Sequence, residues 1–423
     1  MSVKEEFKYL ITEFQNKKIP EFIPRVKNIF EIPKIVSIVG FRRSGKTFFF
    51  NQLMKQLMDQ GVPKKNILYI NFEDDRIFDL KITDLQYLLD AFYELYPEII
   101  DEEKYFFFDE IQVVDNWEIF VRRLYDKEKV KLFITGSSSK LLSKEIATSL
   151  RGRTITYTIF PLSFKEFLIF KDIKLEENFQ YSTQRFSIMK FFEHYLTNGA
   201  FPEIVLHPDF ASNLLQNYFD LFIYRDLVER FNIRNISSLR YLINFLLTNI
   251  GNLFSINKYF NAQPDHQKIS RPTIMDYLSY LEEVSLIYSL KKFDYSLKVQ
   301  QVNPVKIYCI DTGLRNNVAF QFSKDSGRLV ENIVLLELLR QEKEVYYWKG
   351  VNEVDFIIKE KDNSFLAINV SYTDEIAERE TLGLKEFNQN YSDKKISLII
   401  LTKDLHKTEE GINYIPVWKW LLT

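Results

Sequence analysis

The apolar and polar positions divide the chain into short buried runs and longer amphipathic stretches. Met1 to Phe30 carries helical periodicity, which Pro33 interrupts. Ile35-Val36-Ser37-Ile38-Val39 then reads as a buried strand, and Phe48 to Gln56 as a helix. Ile67 to Phe72 is a second strand, followed by the acidic Glu73-Asp74-Asp75, and helical spacing returns across Leu85 to Leu95. Tyr105 to Phe108 is an apolar strand that ends on Asp109-Glu110. Lys131 to Thr135 runs into Gly136-Ser137-Ser138-Ser139, and Thr154 to Phe160 is a fifth strand. Strands alternating with helices predict an α/β fold with a mostly parallel sheet of about five strands.

The pattern then changes. Phe164 to Phe170, Phe186 to Leu196 and Leu214 to Phe231 read as helices, interrupted at Asn198 to Glu203. Phe254 to Phe260 predicts a further helix, and another follows Ser270-Arg271-Pro272-Thr273, with Ser270 as its cap and Pro272 in its first turn. Near the end, Gly327 to Asn332 opens a helix. Tyr346 to Trp348, Glu353 to Phe356 and Phe365 to Ser371 follow as strand segments.

Composition narrows the classes. A length of 423 residues suggests two to four domains, and 46% apolar residues with 38 phenylalanines give ample core material. The formal charge of −2 advertises no nucleic-acid binding, so any such binding must come from local patches. Cys309 stands alone, which excludes a disulfide within the chain and fits a cytoplasmic protein. His194, His207, His266 and His406 are far apart, so a zinc site is not expected. No apolar run approaches the ~20 residues that span a bilayer, and the charged N-terminus lacks a signal-peptide core, so no membrane partner is expected.

The chemistry concentrates in Gly40-Phe41-Arg42-Arg43-Ser44-Gly45-Lys46-Thr47, between the first strand and its helix. Strand, glycine-bounded loop and helix is the context of a phosphate-binding loop. Gly40 and Gly45 let backbone N–H groups turn inward, and the helix adds its positive N-terminal end. Lys46 is placed to reach the β- and γ-phosphates, with Arg42, Arg43, Ser44 and Phe48 also at the nucleotide. Thr47 and Asp109 are the expected magnesium ligands, and Glu110 the base that polarises the attacking water. Thr135 or Ser137 is the expected polar contact between that water and the γ-phosphate. Arg151 and Arg153, which flank Gly152, read either as charges for the transferring phosphoryl group or as a solvated basic turn. The cofactors expected are ATP and Mg2+.

GFRRSGKT, FFFDEIQ, ITGSSS, LRGR and FPLSFKEF (Phe160 to Phe167) come in the order seen in a large prokaryotic family. The chain resembles the archaeal and bacterial AAA-type P-loop ATPases that carry a winged helix and a C-terminal restriction-endonuclease-like domain. The resemblance implies an ATPase domain at 1–165, a helical lid at 166–245, a winged helix at 246–300 and an endonuclease-like domain at 301–423. It also implies a homo-oligomer. Asn198 to Glu203 looks like the family's Gly-Phe-Pro-Glu turn. Lys268, Arg271 and Thr273 would face a DNA major groove, with Lys291 and Lys292 in the wing. Active members use a helix glutamate, a strand aspartate and a Glu-x-Lys. Glu331 and Asp355 match the first two, but Asn369 and Ser371 stand where Glu-x-Lys belongs, so DNA cleavage is not expected. The function implied is a Mg-dependent ATPase that couples nucleotide state to movement of its C-terminal domains on duplex or branched DNA. The alternatives are a nucleotide-gated scaffold for a protein partner, and an ATP-dependent nuclease with a cryptic site.

Overall fold

The computed structural model describes residues 2–27, 29, 33–137, 150–319 and 326–423. They divide into two compact units, Met1–Phe160 and Pro161–Thr423.

The first unit begins with α1 (Val3–Asn16), whose N-cap Ser2 accepts a hydrogen bond from the Glu5 N–H. Phe7, Leu10 and Ile11 are its buried face. The expected helix to Phe30 stops at Asn16. Pro20 and Pro24 disfavour helical backbone at the residues before them, and the described residues 17–27 are irregular.

Five strands follow: β1 (Ile35–Gly40), β2 (Ile67–Asn71), β3 (Lys104–Asp109), β4 (Val130–Ser137) and β5 (Thr154–Thr158). All pair in parallel, in the order β2-β3-β4-β1-β5. A parallel sheet is covered on both faces, so its strands read as continuous apolar runs. The helices that cover it are α2 (Lys46–Asp59), α3 (Leu85–Leu95) and α4 (Trp117–Lys127). Successive β3 side chains serve opposite faces. Phe106 and Phe108 join the core with α3 and α4, while Tyr105 and Phe107 join the core with α2. Phe107 stacks on Phe133 at 4.5 Å and meets Phe50 edge-on at 5.1 Å. The phenylalanines thus line both faces of the sheet. The Gln15 side-chain amide donates to the Ile67 and Lys64 carbonyls, tying α1 to edge strand β2.

The second unit opens with α5 (Phe164–Phe170), α6 (Gln184–Asn198), α7 (Pro202–Leu206) and α8 (Ala211–Leu221), which continues as a π-helix over Phe222–Glu229. Gly199 joins α6 to α7 at φ +80°, and a Cβ there would lie 2.1 Å from Asp311 Oδ1. The close approach lets Asp311 accept from the Ala200 N–H at 2.6 Å.

Next come α9 (Ile236–Thr248), β6 (Leu253–Phe254), α10 (Ile256–Ala262), α11 (Arg271–Glu283), β7 (Ile287–Leu290), α12 (Leu297–Val302) and β8 (Val305–Cys309). The strands form an antiparallel sheet in the order β6-β8-β7. The helix expected from Phe254 starts at Ile256, because Leu253 and Phe254 pair with β8. Ser270 caps α11 by accepting from the Thr273 N–H.

The chain ends with α13 (Thr312–Val318), α14 (Ser326–Arg340), β9 (Val345–Lys349), β10 (Glu353–Lys359), β11 (Phe365–Ser371), α15 (Glu378–Asn390), β12 (Ile396–Thr402), β13 (Lys407–Glu409), β14 (Ile412–Pro416) and α16 (Val417–Trp420). These six strands form a mixed sheet in the order β13-β14-β12-β11-β10-β9. No helix among the described residues is long and apolar enough to cross a membrane.

Candidate nucleotide-binding site

The loop from Gly40 to Thr47 joins the C-terminal end of β1 to α2. A Cβ at Gly40 would lie 2.2 Å from the Ile159 carbonyl oxygen, so only glycine fits there. Gly45 caps α2 at φ +96°, and Arg43 is also left-handed at φ +67°. The first-turn N–H groups of a helix lack helical acceptors and make an anion-binding end. The Ser44 hydroxyl is buried and has no hydrogen-bond partner among the described residues, which suits a polar ligand at the loop.

Arg25 braces this loop from behind. Its guanidinium donates to the Ser44 carbonyl and to the Phe160 carbonyl, each at 2.9 Å. Its own N–H and C=O are both held by the Gln52 side chain. Sequence reading missed Arg25, which sits in an irregular segment with no motif around it.

Beside the loop, the Thr47 hydroxyl donates to Asp109 Oδ2 at 2.7 Å, and the Tyr69 hydroxyl donates to the same oxygen at 3.1 Å. The Thr135 hydroxyl donates to Asp109 Oδ1 and accepts from the Glu110 N–H. Burial pushes the Asp109 carboxyl up, against the pull of the Thr135 and Thr47 hydrogen bonds. Burial, with Asp109 beside it, likewise raises the Tyr69 hydroxyl. Glu110 turns off the strand tip at φ +53°. One of its carboxylate oxygens lies 3.6 Å from the Lys46 Nζ, and the other accepts from the Gln112 side chain. Lys46 also donates to the Gly40 carbonyl at 3.2 Å. A hydroxyl, a buried carboxylate, an ammonium and a second carboxylate therefore converge at one mouth, a donor set that fits a magnesium–polyphosphate ligand. A cavity of about 340 Å³ adjoins it, lined in part by Thr47, Asn51, Tyr69, Phe14 and Arg76.

The other expected site residues are less uniformly placed. Arg42 lies 4.0 Å from Glu73, and Phe48 is exposed on α2. Ser137 pairs by its backbone with Gly40, level with the loop. Its side chain, with Ser138 and Ser139, lies outside the described residues. Arg151 and Arg153 do not join this mouth. Arg153 precedes β5, and its carbonyl accepts from the Ile35 N–H at the start of β1. In a parallel sheet, loops before strands lie at one edge and loops after strands at the other. Both arginines therefore sit at the edge opposite Gly40, and Arg153 forms a two-pronged pair with Asp126.

In the second unit, Lys268 and Arg271 are exposed and both lie over the Phe260 ring. The Thr273 hydroxyl is within 2.8 Å of Ser270 Oγ. Lys291 and Lys292 do not stand on a projecting wing. The Tyr347 N–H donates to the Lys291 carbonyl, the Phe293 N–H donates to the Tyr347 carbonyl, and α12 intervenes before β8.

Glu331 on α14 and Asp355 on β10 do come together, around a residue that sequence reading overlooked. The Lys306 Nζ lies 3.0 Å from Glu331, 2.8 Å from Asp355 and 2.8 Å from Glu353. The Tyr308 hydroxyl donates to Glu331 at 2.7 Å. Burial opposes the charge of Lys306, but Asp355 and Glu331 hold its pKa well above the usual lysine value. Burial and then Asp355 push the Glu331 carboxyl up, against the pull of Lys306 and the Tyr308 hydroxyl. Asn369 is buried and accepts from the Asp355 N–H at 2.9 Å, a structural contact. Ser371 follows at the end of β11. The available signal was a lysine inside the apolar run Val305 to Cys309.

Fold and loop together define a P-loop AAA-type domain. Residues 33–168 match the model of the AAA domain, residues 189–325 a domain of unknown function (DUF8612), and residues 326–420 a domain of unknown function (DUF4143). The uncharacterized protein MJ1544 of Methanocaldococcus jannaschii is 39% identical over 407 residues, covering 92% of this chain and 88% of its own. An uncharacterized protein of Haemophilus influenzae is 34% identical over 394 residues, covering 92% and 94%. The chain belongs to one family with these archaeal and bacterial relatives, and its residues 33–168 match the AAA domain. Among solved structures, the ORC1 protein of Aeropyrum pernix in complex with DNA is 12% identical, covering 68% of this chain and 87% of its own, at a TM-score of 0.31. AMPPCP-bound DnaA from Aquifex aeolicus is 12% identical, covering 66% and 86%, at 0.28. Those scores are too low to establish a common arrangement over the covered length.

Proposed function

We propose that this chain is a Mg-dependent ATP hydrolase that couples its nucleotide state to movement of its C-terminal elements on DNA. The observation that carries the reading is the Thr47–Asp109 contact at 2.7 Å with Glu110 beside Lys46 at 3.6 Å. The loop N–H groups and Lys46 would bind the polyphosphate of ATP, and Thr47 and Asp109 would hold the metal. When bound, Mg2+ supplies positive charge to the β- and γ-phosphate oxygens. Glu110 accepts the proton of the attacking water, with Gln112 orienting its carboxylate. Gly40 and Arg25 keep the loop rigid while charge shifts across it.

The DNA part of the proposal rests on the second unit. From α9 to β8 the order is helix, strand, two helices, strand, short helix and strand, and with the sheet order β6-β8-β7 it supports reading this stretch as a winged helix. In that reading α11 presents Arg271, Thr273 and the preceding Lys268 to a groove. Arg151 and Arg153, far from their own phosphate loop, fit a charge-stabilising role only in trans, across a homo-oligomer.

The test is ATP turnover with and without single-stranded, duplex and branched DNA at low and high salt. The proposal expects turnover that DNA stimulates, and DNA binding that weakens steeply with salt. Turnover indifferent to every DNA, with no binding at low salt, contradicts the DNA part and favours a protein partner.

A further inference from the structure

We propose that Lys306 is a resident cation. Its ammonium takes the place that a divalent metal ion needs among Glu331, Glu353 and Asp355, and removing it turns the cluster into a metal site.

The geometry comes from three separate elements. Lys306 is the second residue of β8, Glu331 lies in α14, and Glu353 and Asp355 lie on β10. The Lys306 side chain is 2% exposed, and its Nζ stands within 3.0 Å of an oxygen from each carboxylate. An ammonium has three donors, and here each has a carboxylate acceptor. The acceptors are themselves fixed. Asp355 Oδ2 accepts from the Val370 N–H at 2.9 Å, and Glu353 also pairs with Lys349 at 2.8 Å.

A charge this buried is tolerated only when it is paired. Three convergent carboxylates repel one another unless one takes up a proton or a cation sits among them, and here the Lys306 ammonium is that cation. Hard divalent cations take carboxylate oxygens at 2.0–2.6 Å. The ammonium holds these oxygens about half an ångström farther out. Among the described residues, no group of three acidic or metal-binding side chains is placed to hold a metal. Lys306 thus serves both as counter-ion and as the tie between the β6-β8-β7 sheet and the C-terminal sheet.

The experiment is Mn2+ titration of the full-length chain, without nucleotide, followed by the electron paramagnetic resonance of free Mn2+. Wild type and Glu331→Gln/Asp355→Asn are expected to bind the same number of ions. Lys306→Met is expected to bind one more, on the order of tenfold or more tighter than wild type at this cluster. Lys306→Met/Asp355→Asn is expected to lose that ion. If Lys306→Met unfolds, added Mn2+ is expected to refold it, because binding to the folded state alone stabilises it. Three results overturn the proposal: a wild-type ion lost in Glu331→Gln/Asp355→Asn, a folded Lys306→Met that binds no more than wild type, or an unfolded one that Mn2+ does not restore.

Discussion

The Thr47 hydroxyl donates to Asp109 Oδ2 at 2.7 Å, joining the first turn of α2 to the tip of β3. This contact fixes the side-chain rotamer that a metal ligand needs, and with it the reach of the phosphate loop towards the acidic strand end. Thr47→Ala removes the hydroxyl and leaves Asp109 with Thr135 and Tyr69. The expected outcome is ATP affinity in Mg2+ lowered by a factor on the order of ten or more, with affinity in EDTA unchanged. Calorimetry in both buffers checks this. Thr47→Ser is expected to behave as wild type.

Arg25 holds two carbonyls with one planar fork, a geometry that lysine cannot reproduce. Both Arg25→Ala and Arg25→Lys are expected to lower stability by about 1–3 kcal/mol, the cost of leaving buried acceptors unmade. ATP affinity falls with it, since the loop loses its brace. Chemical denaturation and nucleotide titration of the two variants separate these effects. A lysine variant indistinguishable from wild type contradicts the fork argument.

Asp311 predicts a pH dependence. Burial pushes its carboxyl up to about 6, against the pull of the Leu314 and Ala200 N–H groups. The unfolded value is about 3.9. The folded value is the higher, so folding takes up a proton between the two. The Asp311 contribution is full below about pH 4 and is lost as pH rises through about 6. Relative to Asp311→Asn, wild type should gain on the order of 2–3 kcal/mol from pH 7 to pH 4, two pKa units of linkage. Denaturation midpoints of both proteins across that range are the check.

Arg153 pairs with Asp126 at partly exposed positions, and such pairs contribute little. Arg153→Ala should cost about 0.5 kcal/mol. If Arg153 serves a neighbouring subunit, turnover falls in the variant and returns on mixing with Glu110→Gln subunits. Turnover unchanged in Arg153→Ala removes it from the chemistry.

The phosphate loop and the β3 tip were legible because each is local. An apolar run fixes the strand, the glycines fix the turn, and the acids follow directly. Arg25, Tyr69 and Lys306 were not legible, because each gains its role only from residues that the fold brings near. Arg25 lies in irregular chain 19 residues before Ser44. Lys306 reaches Asp355 across 49 residues. Arg151 and Arg153 depend on strand direction instead. Their charge and glycine looked functional, but the direction of a parallel strand puts the loop before it away from the loop after β1. The N-terminal helix was overextended because amphipathic spacing outweighed Pro20 and Pro24. Glu331 on α14 and Asp355 on β10 came from the family resemblance, while the cation between them comes from β8 in another sheet.

The central claim is that Glu110 is the base of an ATP hydrolase, and Glu110→Gln tests it most directly. The amide keeps the side chain's size and its contact with Gln112 but cannot take a proton. ATP affinity and single-turnover hydrolysis are measured on the same preparation. Affinity is expected to stay within about threefold of wild type while the rate falls by a factor on the order of 10²–10⁴. A Glu110→Gln protein that binds ATP and hydrolyses it at the wild-type rate contradicts the assignment.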